Sequence, residues 1–243
     1  MNNNDKRLGA EPIPRLIFSL ALPAVAAQLI NVLYNIVDRI YIGHMEGAGD
    51  LALTGVGITL PILMVISAFS AFVGMGGAPL ASIRLGEGDH KGAERILGNS
   101  MTLLMIISVT LTVLFLAFKR PLLYLFGASG NLIGYADSYL TIYLIGTIFV
   151  QISLGLNTYI SAQGNAKTAM LSVLIGAIAN IILDPILIFW AGLGVSGAAL
   201  ATIFSQALSA VWVMRFLLSE KSVIRLRRQN MKLDRKIVGS IAA

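Results

Sequence analysis

The side chain that says most about the chemistry of this sequence is a carboxylate in a long apolar stretch. Asp184 is the one charged residue between Thr168 and Met214, it follows Asn180 by one helical turn, and it directly precedes Pro185. A carboxylate at the centre of a bilayer costs about 2.5 to 3.5 kcal/mol even on a lenient insertion scale, so such residues are retained where they act. The pattern predicts that Asp184 belongs to a coupling-ion or substrate site.

The composition indicates an integral membrane protein. Hydrophobic residues make up 56% of the 243 residues and charged residues only 12%, well below the quarter that is usual in soluble domains. The net charge of +6 arises from basic residues at segment ends and in the C-terminal tail, which favours contact with anionic lipid over nucleic acid. The chain has no cysteine, so neither a disulfide nor a thiolate metal site is expected.

Six segments have the length of about 20 mostly apolar residues that a membrane-spanning helix needs. They are Leu16–Val37, Leu51–Ile83, Ile96–Phe118, Leu132–Ile160, Thr168–Ala191 and Leu193–Met214. With a cytoplasmic N-terminus, 15 of the 18 basic residues lie on the cytoplasmic side and 3 on the other. This asymmetry predicts that the N-terminus and the C-terminal tail are both cytoplasmic.

The second and fourth segments are longer than a bilayer requires, so each must tilt, bend or project beyond the hydrocarbon. Gly74, Gly76, Gly77 and Pro79 lie together in the second segment. Glycine and proline are the usual causes of helix kinks. The cluster therefore predicts a bend in the second span.

Three of the six segments carry polar side chains on one helical face. The first has Gln28, Asn31, Tyr34, Asn35 and Asp38, the fifth has Asn180 and Asp184, and the sixth has Thr202, Ser205, Gln206 and Ser209. Lipid does not accept such faces, so they predict a hydrated central cavity.

Counting residues from the segment ends at 1.5 Å per residue places Asp184 and Tyr139 about 10 Å from the outer surface. The residues expected in this outer layer are Asp38, Tyr139, Asn180, Asp184 and Thr202. Their oxygen atoms suit a hard cation such as Na⁺, or a proton shared between two carboxylates. Asn157 is expected deeper, in the cavity wall. The alternatives are a solvated helix end for Asp38, packing roles for Tyr34 and Tyr139, and a purely structural Asp184.

Other motifs suggest different functions, but the residues around them do not support those functions. The stretch from Gly192 to Ala198 has the glycine spacing of a dinucleotide-binding turn, but no strand is expected before it and no acidic residue follows at the required distance. His44 and His90 are expected on opposite sides of the membrane, so no metal site is certain. No arrangement of nucleophile and base is visible, and an enzyme is not predicted.

Several motifs resemble those of the multidrug and toxic compound extrusion (MATE) transporters. They are Leu22-Pro23-Ala24, Leu33–Asp38, Leu85–Asp89, Gln163–Lys167, Asn180–Pro185 and Gly194–Thr202. The resemblance covers almost the whole chain. It implies an all-α integral membrane fold in which six transmembrane helices form one lobe of a twelve-helix antiporter with alternating access.

The resemblance also implies roles for individual residues. Asp38, Asn180, Asp184 and Thr202 match the cation network of the N-terminal lobe, and Tyr139 joins it. Tyr34 and Asn157 match cavity positions that contact drugs, and Asn31 and Gln206 are expected beside them. Pro23 matches a proline at which the first helix bends. No cofactor other than a coupling Na⁺ or H⁺ is implied.

Together these observations predict three parts: a six-helix lobe over residues 1–218, a basic cytoplasmic linker over 219–236, and the start of a truncated second lobe over 237–243. The last part rests on the likeness of Lys236-Ile-Val-Gly-Ser-Ile-Ala-Ala to Arg15-Leu-Ile-Phe-Ser-Leu-Ala-Leu. The predicted function is cation-coupled export of organic cations or drugs across the inner cell membrane, here by the N-terminal half of a transporter that lacks its second lobe. The alternatives are a lipid-linked oligosaccharide flippase and a non-transporting membrane scaffold.

Overall fold

The computed structural model describes residues 13–45 and 47–242, which form an all-helical bundle without a β-strand in this part of the chain. The first three helices are α1 (Ile13–Gly43), α2 (Gly49–Gly86) and α3 (His90–Leu125). Each is long and apolar enough to cross a membrane. Lys6, Arg7 and Ala243, which carried sequence predictions, lie outside the described residues.

The fourth span, for which the sequence predicted that the segment Leu132–Ile160 must tilt, bend or project, is bent and interrupted. It consists of α4 (Ile133–Ile145), α5 (Thr147–Gly155) and α6 (Asn157–Ala162). The axis turns by 60° between Ile145 and Thr147. A side chain at Gly146 would overlap Ile203, so the break coincides with a close approach to the sixth span.

The last two spans complete the bundle. Helix α7 (Ala166–Pro185) continues as a π-helical turn, Ile186–Trp190, and α8 (Gly194–Leu218) follows. With the interrupted fourth span counted once, the described residues contain six candidate membrane spans. Large apolar side chains such as Phe18, Leu125 and Trp190 are exposed on the outside of the bundle, as expected for a surface that faces lipid.

The glycine cluster in the second span lies within a continuous helix, and the predicted bend there stays a prediction. Helix α2 runs unbroken through Gly74, Gly77 and Pro79. A side chain at Gly77 would overlap the Tyr159 hydroxyl, and one at Gly74 would lie 2.8 Å from the Gly155 carbonyl oxygen. These glycines therefore allow α2 to pack closely against the fourth span.

One end of the bundle, here called the linker end, holds the α2–α3 turn, the α6–α7 turn and the segment after α8. The predicted basic linker is partly built into the bundle. Ser222, Ile224 and Leu226 are buried, and a 3-10 turn, Arg228–Asn230, leads to α9 (Arg235–Ala242). Helix α9 packs against α2 and α3. The prediction that a second lobe begins here remains a prediction.

Candidate cation site and polar cavities

Two carboxylates from different spans meet in the half of the bundle that lies away from the linker end. Asp38 is near the end of α1, Asp184 is near the end of α7, and these two helices pack extensively on each other. The side chains lie within reach of a hydrogen bond through a shared proton. Asp38 is 9% exposed and Asp184 is fully buried. The alternative of a solvated helix end for Asp38 is therefore wrong.

Asn180 holds the Asp184 carboxyl group from one turn earlier on α7. Its Nδ2 donates to Asp184 Oδ1 at 3.2 Å. This leaves several buried oxygen atoms without a hydrogen-bond donor among the described residues: Asp38 Oδ1, Asn180 Oδ1, Asp184 Oδ2 and Ser205 Oγ. Buried polar atoms are nearly always satisfied, so this set fits an oxygen-coordinated cation or a proton.

Tyr139 on α4 and Thr202 on α8 complete the same layer. The Tyr139 hydroxyl lies close enough to the Thr202 side chain and to Asp38 to interact with both. The Tyr139 ring stacks on Tyr143, with centroids 6.3 Å apart and planes at 18°. Asp38, Tyr139, Asn180, Asp184 and Thr202, hereafter the carboxylate cluster, are thus brought together as the sequence predicted.

Positive charge around the carboxylate cluster is sparse. Arg39 interacts electrostatically with Asp38, but its side chain is exposed. No Lys or Arg of the described residues forms an ion pair within 4 Å of Asp38 or Asp184. Two buried carboxylates without a basic partner are unfavourable unless a cation or a proton compensates them.

The donor set indicates which cation could bind. No group of three or more His, Cys, Asp or Glu side chains converges in the described part of the chain, so the site lacks the ligands that transition metals prefer. It offers carboxylate, amide and hydroxyl oxygens instead. Hard cations take such ligands, and a pair of neighbouring carboxylates can also share one proton.

Two cavities flank the polar face of α1. The α7 cavity has a volume of about 150 Å³ and is bordered by Asn180 and Ser205, and the α2 cavity has a volume of about 470 Å³ and is bordered by Asp38 and Tyr139. Asn31, Tyr34 and Gln206 line both cavities. The predicted polar faces of the first and sixth spans therefore line cavities, as expected.

The predicted cavity residues differ in how many of their polar atoms already have hydrogen-bond partners within the protein. Asn157 lines the α7 cavity, but its Nδ2 donates to the Ala169 carbonyl oxygen at 3.2 Å, and its Oδ1 accepts from Ser172 Oγ at 2.9 Å. It therefore fastens α6 to α7 and has little spare capacity for a ligand. Gln206 accepts from Ser153 Oγ and also contacts Tyr34.

Pro23 is buried within α1, and the helix continues through it. Proline removes one backbone hydrogen bond from a helix interior, so α1 is weakened at this position. Bending at Pro23 stays a prediction.

The sequence reading overlooked one buried polar residue of the fourth span, Gln151. It is fully buried, accepts a hydrogen bond from Ser70 Oγ at 2.8 Å, and donates one to the Ile66 carbonyl oxygen at 3.1 Å. This amide ties α5 to α2 close to the break at Gly146. The sequence alone indicates this residue, because Gln151 is the one amide side chain between Thr147 and Leu156.

A bundle of six apolar spans that encloses polar cavities and a pair of buried carboxylates defines the class of multi-pass membrane transporters. Comparison with known proteins identifies the family: the sequence model of the MatE family matches residues 23–186. Because this match covers most of the chain, the chain belongs to the MatE family.

Individual relatives agree with this assignment. The multidrug export protein MepA of Staphylococcus haemolyticus is 27% identical over 227 residues, which are 93% of this chain and 50% of that protein. Two solved structures each have a TM-score of 0.90, 28% identity and coverage of 99% of this chain and 53% of theirs. One shows MATE in the bent conformation, and the other the outward-facing conformation of a multidrug resistance MATE family transporter. The chain spans about half the length of these relatives.

Proposed function

We propose that this chain is the first of two lobes of an antiporter that exports organic cations or drugs in exchange for Na⁺ or H⁺. The observation that carries the proposal is the carboxylate cluster, in which Asp38 and Asp184 meet from different spans with buried oxygen atoms that lack donors. The relatives named multidrug export protein and multidrug resistance transporter support the export of drugs.

The arrangement of α1 suggests how a cation would be coupled to export. Asp38 lies on α1, and Asp184 and Asn180 lie on α7, so a cation bound between them favours the arrangement in which these two helices are in contact. The same face of α1 carries Asn31 and Tyr34, which line both cavities. Binding of the cation therefore changes the stability of one cavity shape relative to another, which is what alternating access requires.

The proposed orientation puts the linker end in the cytoplasm and the carboxylate cluster near the outer surface. The excess of basic residues at the linker end supports this orientation. A coupling cation from outside would then reach the cluster through the outer half of the bundle. The exposed polar side chains of α1, Gln28 and Asn35, support a second lobe against this face, because lipid disfavours amides.

The two alternative functions have less support. A flippase for lipid-linked oligosaccharides would need basic residues for a pyrophosphate, whereas Arg39 is the one Lys or Arg among the described residues that line the two cavities. A non-transporting scaffold would tolerate neutral replacement of both carboxylates. The structure offers no separate observation that favours a scaffold.

The proposal is tested with Asp184→Asn in a two-lobe protein that contains this chain as its first half. Drug accumulation is measured in cells that make equal amounts of parent and variant protein. We expect export to fall to the level of cells without the protein, because asparagine keeps the shape but loses the charge that attracts the cation. Asp50→Asn, the same change at an exposed site at the start of α2, is the matched control. Unchanged export by Asp184→Asn would refute the proposal.

A further inference from the structure

A third large cavity lies at the linker end, remote from the carboxylate cluster. It has a volume of about 840 Å³ and forms between the first turns of α3 and the segment that joins α8 to α9. Five cationic side chains line it: Lys91, Arg95, Arg227, Lys232 and Arg235. Only two carboxylates, Glu94 and Asp234, share the lining.

Both carboxylates already have partners within the protein. Glu94 is 9% exposed, and it accepts from Arg227 Nε at 3.2 Å and from Asn230 Nδ2 at 3.3 Å. Asp234 Oδ1 accepts from the Lys236 backbone nitrogen at 2.8 Å. Among the described residues, no carboxylate lies within 4 Å of the charged groups of Lys91, Arg95, Lys232 or Arg235. The cavity therefore has four cations without an ion-pair partner, against one carboxylate, Asp234, that also has none, which leaves an excess of positive charge for an anionic ligand.

The backbone around the cavity is held in place, which distinguishes it from a loose basic tail. Asn99 on α3 accepts from the Asp234 backbone nitrogen at 2.7 Å and donates to the Arg95 carbonyl oxygen at 2.9 Å. Thr102 Oγ1 donates to the Met231 carbonyl oxygen at 2.7 Å. Preorganised groups lose less conformational entropy when a ligand binds.

The lining also has an apolar side. Leu233 is 48% exposed and borders the cavity together with Ile237. A cluster of Lys and Arg at the end of membrane-spanning helices attracts lipid phosphates, and the exposed Leu233 beside it, with the partly buried Ile237, suits the start of an acyl chain. Inorganic phosphate has no apolar part that could pack against these side chains.

We propose that this cavity binds the phosphate-bearing headgroup of an anionic membrane lipid. The guanidinium groups of Arg95 and Arg235 can form paired hydrogen bonds with phosphate oxygens, and Lys91 and Lys232 add charge. Four available cations favour a lipid with two phosphates over a lipid with one. The inference rests on the chain spanning a membrane and is independent of what the chain exports.

The experiment measures lipid binding to the purified 243-residue chain by native mass spectrometry. The chain is delipidated in neutral detergent and titrated with cardiolipin, phosphatidylglycerol or phosphatidylcholine. The cavity variant is Arg95→Gln/Lys232→Gln/Arg235→Gln. The matched control, Lys221→Gln/Arg228→Gln/Lys236→Gln, removes the same charge from exposed residues that do not line the cavity.

We expect the parent and the control to prefer cardiolipin, then phosphatidylglycerol, over phosphatidylcholine. The cavity variant should lose affinity for cardiolipin by about a hundredfold, since each cation near a lipid headgroup contributes roughly fivefold. Excess inorganic phosphate should leave bound cardiolipin in place.

Three results would overturn the proposal. Equal losses in the two triple variants would show diffuse surface attraction and no site. Unchanged binding by the cavity variant would place the lipid elsewhere. Displacement of cardiolipin by inorganic phosphate would identify a free phosphate as the occupant. Circular dichroism and size-exclusion chromatography confirm that each variant is folded, and none of these results depends on transport.

Discussion

Two groups of buried polar side chains in this bundle differ in how well their hydrogen bonds are satisfied. In the carboxylate cluster, Asp38, Asn180 and Asp184 each retain a buried oxygen atom without a donor among the described residues. At the linker end, Gln163 is only 2% exposed, yet its Oε1 accepts from Ser222 Oγ at 2.9 Å and from the backbone nitrogens of Val223 and Ile224 at 2.8 and 3.1 Å.

We call this second group, Gln163 with Ser222, Val223 and Ile224, the linker clamp. A neighbouring pair at the same end is also satisfied, because the Ser100 and Tyr159 hydroxyls bond to each other. Satisfied buried groups stabilise a single structure, whereas unsatisfied ones cost free energy unless a ligand completes them. The comparison indicates that the linker end maintains the fold, and the unpartnered oxygen atoms of the carboxylate cluster fit the proposal that the cluster binds a cation.

The largest effect is expected from removing the second carboxylate of the cluster. Asp38→Asn should abolish export in the two-lobe protein, because in the proposed mechanism Asp38 and Asp184 share one cation. The double variant with Asp184→Asn should be no worse than either single variant, since residues that act as a unit are not additive. Drug accumulation measures all three. Additive losses would mean that the two carboxylates have separate roles.

The next effect concerns the fold at the linker end. Gly77→Ala places a methyl group where the Tyr159 hydroxyl and Ser100 lie, so it should lower the free energy of unfolding by about 2 to 3 kcal/mol. Gly57→Ala in the same helix meets no atom within 4 Å and should be neutral or stabilising by about 0.5 kcal/mol. Thermal unfolding of the purified chain measures both. Similar melting temperatures for the two variants would contradict the close packing described here.

A smaller effect is expected from breaking the linker clamp. Gln163→Ala leaves the backbone nitrogens of Val223 and Ile224 without an acceptor, which should cost about 1 to 2 kcal/mol. The segment after α8 should then be cleaved faster by a protease. Gln229→Ala, at an exposed residue of the same linker, serves as the control. If both variants resist proteolysis equally, the clamp does not hold the linker.

Much of the fold and of the cluster followed from the sequence. The six spans were predictable because a bilayer fixes the length and polarity of a spanning helix. The carboxylate cluster was predictable because Asp184 is isolated in its segment, and because counting residues from the surface gives depth. Helical periodicity alone placed Asn31, Tyr34 and Gln206 on faces that line cavities.

Features that depend on contacts between distant segments were not predictable. The break at Gly146 coincides with close packing against Ile203, and no local proline marks it. The close approach of Gly74 and Gly77 to the fourth span likewise depends on a contact that composition does not reveal. The linker clamp joins Gln163 to residues about 60 positions later, and a basic linker of this composition gives no sign of burial.

The central claim is that the carboxylate cluster binds a cation and thereby stabilises the folded chain, whereas the linker clamp takes no part in this binding. Anything that binds only the folded state stabilises it, by about 2.7 kcal/mol at a hundred times the dissociation constant. The direct test is the melting temperature of the purified chain in NaCl against KCl at equal ionic strength, and as the pH is lowered from alkaline values. We expect Na⁺ or protons to raise the melting temperature of the parent and of Gln163→Ala by the same amount, and to raise those of Asp38→Asn and Asp184→Asn less. An equal rise in Asp184→Asn, or no response to either cation in the parent, would contradict the account.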